Sequence, residues 1–165
     1  MLPANLSPLE NLDVGIHSEA LAYRMYDRLA KRVEIATLQA RLTQLKKDEK
    51  DHRKTLRAHR RGIFGQAPVV VTESDVEAIF GTDGMPEIRD AESLVQALYA
   101  AIRFEEYGSY FYEKQRHKIP NREARIFLEV LACEGQYHAN ILNQQIEAVR
   151  HLRLTVDERG RAIEV

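Results

Sequence analysis

Five residues with metal-binding chemistry recur at matched places in this sequence: Glu19, Glu49, His52, Glu105 and His138. Carboxylate oxygens and imidazole nitrogens together are the donor set that iron, manganese or zinc takes. Glu49 and His52 are three apart, so on a helix both project to one side. A lone Glu-x-x-His means little, but the surrounding pattern repeats. One shift of 86 residues lays Glu19 on Glu105, Tyr26 on Tyr112, Leu42 on Leu128, Leu45 on Leu131, His52 on His138 and Leu56 on Leu142, with no gap. An internal duplication of this kind gives two equivalent structural units.

The elements that must position these residues are four long helices. Ser7, Pro8 and Glu10 form a helix start, with a capping serine, a proline at the first position and a glutamate completing the capping box. The apolar stripe that follows contains Leu9, Leu12, Ile16, Tyr23, Tyr26, Ala30 and Val33 at alternating spacings of three and four, with Glu19 in its middle. A second stripe runs from Ile35 through Leu38, Leu42, Leu45 and Leu56 and carries Glu49 and His52. A third, from Val95 to Ile119, carries Glu105, and a fourth, from Ala124 to Leu142, carries His138. The predicted helices are about 8–33, 35–61, 91–118 and 121–151, with Gly62 closing the second behind a basic last turn.

Residues 62–90 have a different character, with Gly62, Gly65 and Pro68 followed by a β-branched run and a short helix over about 73–80. Nearly thirty residues can travel the length of a bundle, so the second and third long helices can lie parallel. The expectation is an all-α four-helix bundle, made of two duplicated helical hairpins joined by this crossover. It spans residues 1–151, and the tail, 152–165, reads as a small hairpin. Side by side, the four helices bring the polar mid-stripe residues into one layer. Bare carboxylates there are costly to bury, and bound cations offset that cost.

Composition narrows the function classes. The chain has 165 residues, 30% charged and 44% hydrophobic, enough for one domain with a real core. A net charge of -1 gives no global reason to bind nucleic acid. Cys133 is the single cysteine, so neither an intrachain disulfide nor a four-cysteine metal site can form. No apolar run is long enough for a membrane span and no basic residue opens a signal peptide, so a cytoplasmic location is the expectation.

At these residues the sequence resembles the ferritin-like superfamily and, within it, the rubrerythrin family in its short form without a rubredoxin domain, over roughly residues 7–150. The family pattern places a glutamate seven residues before a tyrosine on the first and third helices, here Glu19 with Tyr26 and Glu105 with Tyr112. It places Glu-x-x-His on the second and fourth, here Glu49-Lys-Asp-His52 and, altered, Cys133-Glu-Gly-Gln-Tyr-His138. The resemblance implies a carboxylate-bridged centre of two irons, with zinc or manganese as alternatives, that reacts with peroxide or oxygen using an external electron donor. Its implied ligands are Glu19, Glu49, His52, Glu105 and His138, with no catalytic group beyond them. Tyr26 and Tyr112 would hold the ligand carboxylates in place.

Three features depart from that pattern. The fourth-helix glutamate is replaced by Gly135. Glu134, about 40° from His138 around the helix, is the candidate substitute. The extra glutamate of peroxidase-type members falls on Gly108, and one cysteine cannot build the family's iron–sulfur domain. Two divalent ions balance four carboxylates and Glu19, Glu49 and Glu105 supply three; Glu134, a hydroxide bridge or the loss of one metal would close the difference. Asp48 and Glu106 read as solvated or supporting residues.

The functional expectation is a di-iron oxidoreductase that reduces peroxide or oxidises ferrous iron, in a homo-oligomer, taken as a dimer. The alternatives are a metal-binding or iron-handling protein without turnover, and a metal-free bundle serving as an interaction scaffold.

Overall fold

The computed structural model describes residues 5–81 and 85–165. Residues 1–4 of the predicted domain and 82–84 of the predicted crossover lie outside the described residues. Helix α1 spans Pro8–Lys31, and its start is the capping box seen in the sequence: the Ser7 hydroxyl accepts from the Glu10 N–H and the Glu10 carboxylate accepts from the Ser7 N–H. Helix α2 spans Ala36–Phe64. It runs through Gly62 instead of ending there, because Ile63 and Phe64 pack against the core and Gly65, at φ 58, takes a positive-φ conformation open to glycine that ends the helix.

A short helix, α3 (Glu73–Phe80), is held by a second capping box between Thr72 and Asp75 and closed by Gly81. Helix α4 covers Ala91–Gln115 behind the cap Asp90, a 3-10 turn follows over Arg116–Lys118, and α5 covers Arg122–Arg150 behind the cap Asn121. The tail forms an antiparallel pair, β1 (Leu154–Val156) and β2 (Ala162–Glu164). The third and fourth helices of the bundle are therefore α4 and α5.

Cross-helix contacts fix the directions. Helices α1 and α2 are antiparallel, joined by Lys46 to Asp27 at 3.2 Å near one end and Arg60 to Asp13 near the other. Helices α4 and α5 are antiparallel too, with the Ser109 hydroxyl donating to the Ala132 carbonyl at 2.7 Å and Arg150 donating to the Tyr99 hydroxyl at 2.8 Å. Tyr26 reaches Glu105 and Tyr112 reaches Glu19, so α4 opposes α1 and lies parallel to α2. The long connection makes that arrangement possible, and α3 lies on α1 through Arg24 and Glu73 at 2.7 Å. The result is an all-α, ferritin-like bundle of two helical hairpins.

Two fastenings hold the connections down. At the end of α2, the buried Asp13 carboxylate pairs with Arg60 and accepts from the Val70 N–H at 2.8 Å, while Arg60 donates to the carbonyls of Ala67 and Pro68. This satisfies a buried charge with an ion pair and a backbone donor together. At the other end, the tail docks on the α1–α2 turn: the Ala162 N–H donates to the Arg32 carbonyl at 2.7 Å, and the Glu34 N–H donates to the Ala162 carbonyl at 2.8 Å. Between the fastenings, Leu38, Leu42 and Leu45 of α2 and Leu128, Leu131 and Leu142 of α5 are buried. Their stripes break at mid-bundle, where the polar layer sits.

Candidate metal centre

All five mid-stripe residues meet in that layer. One ligand atom each from Glu19, Glu49 and His52 lie within 4.8 Å of one another, and the same is true of Glu49, Glu105 and His138. Glu49 belongs to both groups, so the site is two donor sets sharing one carboxylate. The imidazoles of His52 and His138 are nearly parallel, at 14°, with centroids 5.9 Å apart. The groups enclose about 20 Å³, room for one water-sized group.

The donor atoms fit a cation. His138 Nδ1 and Glu49 Oε1 are 2.9 Å apart and fully buried, yet neither makes a hydrogen bond, so the two atoms converge without a proton aligned between them. Buried polar atoms are nearly always paired. Two orphans facing one point, among three buried carboxylates and two imidazoles, have the chemistry of a coordination site. On the other side, His52 Nδ1 lies 3.1 Å from Glu19 Oε2 and 3.4 Å from Glu49 Oε2.

Without a cation, protons fill its role. Burial pulls the His52 imidazole toward the neutral form, but hydrogen bonds and charge from Glu19 and Glu49 overcome it and raise the pKa to about 11. Burial acts the same way on His138, and there the negative charge of Glu105 and Glu49 overcomes it and raises the pKa to about 10. Burial pushes the Glu49 carboxyl well above the ordinary carboxylate range, helped by repulsion from Glu105 and Glu19. Burial also acts upward on Glu19, but hydrogen bonds to His52, Glu49 and Tyr112 bring it below the ordinary value.

A supporting layer surrounds the donors. The Tyr26 hydroxyl donates to Glu105, and the Tyr112 hydroxyl donates to Glu19 Oε1, leaving Glu19 Oε2 toward the centre. These contacts cross the bundle in both directions, as the duplication requires. Burial and the neighbouring carboxylates raise both phenols well above their ordinary pKa, so they remain donors. The outer nitrogens of the histidines also face acids: His52 Nε2 contacts Glu134, and His138 Nε2 lies 3.6 Å from Asp48. An acid on the outer nitrogen keeps its proton there and turns the inner lone pair toward the site.

The structure thus places Glu134 outside both donor sets, on the far side of His52 with a side chain 43% exposed, whereas the sequence made it a candidate ligand. Sequence reasoning missed that Glu134 and Asp48 take equivalent places, each beside the outer nitrogen of one histidine, although the shift of 86 residues lays Asp48 on Glu134. The same shift lays Glu49 on Gly135, so the absent carboxylate is the counterpart of the shared one. A Cβ at position 135 would stand 3.1 Å from both the Glu105 carbonyl oxygen and Ser109 Cβ. Helices α4 and α5 have closed over the place a side chain would occupy. Cys133 is exposed and belongs to neither donor set.

Comparison with known proteins bears on the same residues. The sequence model of the rubrerythrin family matches residues 10–92, which carry Glu19, Glu49 and His52. Among solved structures, the hypothetical protein Pfu-1136390-001 from Pyrococcus furiosus is similar with a TM-score of 0.75 at 22% identity, over 91% of this chain and 97% of that one. A dodecameric thioferritin, the bacterioferritin-related protein from Bacteroides fragilis, gives a TM-score of 0.67 at 18% identity, over 87% of this chain and 86% of that one. At these identities the likeness is one of fold. No curated protein matches the chain significantly.

Proposed function

Because the chain belongs to the rubrerythrin family, we propose that its two donor sets hold a pair of iron ions and that the protein carries out redox chemistry on peroxide or oxygen. Iron bound there would supply, in its ferrous form, the two electrons that reduction of peroxide to two waters consumes together with two protons. The observation that carries this reading is the pair of donor sets sharing Glu49, with buried Glu49 Oε1 and His138 Nδ1 converging and unbonded.

The residues divide the work. Glu19 with His52, and Glu105 with His138, would hold one ion each, with Glu49 available to both. Tyr26 and Tyr112 fix the outer carboxylates by hydrogen bonds that also stop them from swinging into the centre. Glu134, in contact with the outer nitrogen of His52, favours a proton there, and Asp48 puts a negative charge 3.6 Å from the outer nitrogen of His138. The space among the donor groups, room for one water-sized group, is too small for an organic substrate. The electrons that return the iron to its ferrous form come from an external donor.

We assign the protein to a homo-oligomer; the dodecameric assembly of the Bacteroides fragilis relative supports this class of arrangement. No described helix is long and apolar enough to cross a membrane.

The test is the metal content per chain of anaerobically purified protein, by elemental mass spectrometry, followed by optical spectra on adding hydrogen peroxide. Near two irons and a rising near-ultraviolet oxo-bridge band are the expected result. One zinc or no metal, with no spectral response after iron reconstitution, would overturn the redox reading.

A further inference from the structure

The charge of this chain is unevenly placed. Helix α2 has nine lysines and arginines against three acids, a net +6, whereas the whole chain is -1 and the remainder therefore -7. Of the nine, Lys46 pairs with Asp27 and Arg60 with Asp13; the other seven make no ion pair among the described residues. Five of these, Lys47, Lys50, Lys54, Arg57 and Arg61, are exposed and recur at spacings of three and four. At about 100° per residue they fall within an arc of roughly 80° and make a stripe of about 20 Å along the helix.

The helix dipole does not explain the stripe. Cations are favoured within the last turn, but Lys47, Lys50 and Lys54 precede the end of α2 at Phe64 by ten residues or more. Nor do they solvate a helix through neighbouring acids, since Asp51 alone borders the stripe on its exposed side and makes no ion pair among the described residues. The stripe lies instead on the face of α2 opposite Leu45, Glu49, His52 and Leu56. Anything seated on it is about one helix diameter, roughly 10–12 Å, from the donor groups Glu49 and His52.

We propose that this face of α2 is the docking surface for an acidic one-electron carrier protein. The proposal rests on the redox reading above, which needs such a donor: two reduced carriers, each oxidised by one electron, match the two electrons that one peroxide consumes. A strip one helix wide suits the small, charge-steered interfaces of transient redox partners. It suits nucleic acid less, because no Phe, Tyr or Trp lies between Tyr26 and Phe64 to stack on bases, and the strip is convex where a duplex or strand is normally cradled.

The experiment uses the iron-loaded full chain and reduced plant-type [2Fe–2S] ferredoxin as the acidic probe, with binding measured by titration calorimetry at about 25 mM and about 200 mM salt. The dissociation constant is expected to rise about tenfold or more between the two salts, and by a similar factor in K47E/K50E/K54E. The milder K47Q/K50Q/K54Q should show a smaller change in the same direction, and circular dichroism checks that both variants are folded. Ferredoxin-driven reduction of the iron should fall in parallel, whereas iron content and reduction by dithionite stay at the unmodified level. Absence of ferredoxin binding, or binding that the substitutions leave unchanged, would overturn the proposal. So would a random-sequence DNA duplex that binds the stripe more tightly than ferredoxin at the higher salt, which would make it a polyanion site. Iron content and dithionite reduction report on the metal reading by themselves, so its failure is distinguishable from failure of the docking surface.

Discussion

Gly108 and Gly135 are both helix-interior glycines beside the polar layer, and their surroundings predict opposite responses to the same added methyl group. A Cβ at Gly108 would meet nothing within 4 Å. Gly108→Ala should therefore show the full helix-propensity gain of about 0.5–1 kcal/mol, which for a domain of this size is a rise of roughly 1–4 °C in Tm. A Cβ at Gly135 would stand 3.1 Å from the Glu105 carbonyl oxygen and 3.1 Å from Ser109 Cβ. The first is backbone, and the second belongs to a residue tied to the Ala132 carbonyl, so neither yields cheaply. Overpacking costs about 1–3 kcal/mol, which outweighs the propensity gain and leaves Gly135→Ala destabilised by about 1–2 kcal/mol, or roughly 2–8 °C. The assay is thermal unfolding of the metal-free variants in parallel. Glutamates extend the comparison: Gly135→Glu should lose stability and gain no metal, whereas Gly108→Glu has room for its side chain. A Gly135→Ala protein melting at or above the unmodified one would refute the close approach of α4 and α5 as the reason no glutamate stands there.

Other expectations follow from the same geometry. Tyr26→Phe or Tyr112→Phe leaves a buried carboxylate oxygen without its donor and should cost about 1.5–3 kcal/mol, read by denaturant unfolding of the metal-free protein; a cost under 0.5 kcal/mol would count against those hydrogen bonds. Glu134→Gln should weaken iron binding by about 10–100-fold in competitive chelator titration without lowering the number of ions at saturation, whereas loss of one ion would return Glu134 to the ligand set. Asp13→Ala leaves the half-buried Arg60 without its carboxylate and the Val70 amide without its acceptor and should cost about 1.5–3 kcal/mol, with proteolysis rising first between α2 and α3. For pH, the folded pKa values of His52 and His138, about 11 and about 10, lie above the ordinary 6.5. Their contribution to the metal-free fold is complete below that value and is lost as pH rises through the folded values. The Tm of metal-free protein should fall across that alkaline window, while the gain on adding iron increases with pH because binding displaces those protons; a flat metal-free profile would contradict the assignment.

Much of this architecture is visible in the residues themselves. Capping boxes, apolar stripes and the duplication at 86 residues all act locally or repeat regularly, so helices and their inward faces follow from spacing. The mid-stripe positions of Glu19, Glu49, His52, Glu105 and His138 bring them together for the same reason. What escaped depends on how close the elements come in space. Gly135 shows in the sequence as a lost carboxylate, but not that Ser109 and the Glu105 backbone have moved into its place. Glu134 looks as near to His138 as a ligand would be, yet the bundle turns it toward His52, its partner from the other hairpin. Asp13 sits in the first helix with no stated role until the path of residues 67–71 brings Arg60 and the Val70 amide onto it. Gly62 and Gly65 offer the same cap signal, and only packing of Ile63 and Phe64 selects the later one.

The shared use of Glu49 also sets an order of assembly. Glu19, Glu49 and His52 all lie within the first helical hairpin, which contains one complete donor set before the second hairpin arrives. Glu105 and His138 lie in the second, whose own counterpart of Glu49 is Gly135, so that hairpin alone offers only two donors. An ion captured early would settle in the first half of the molecule. The next would bridge the halves and act as a clasp, making the docking of the two hairpins, and with it resistance to unfolding, depend on the second equivalent of metal much more than on the first.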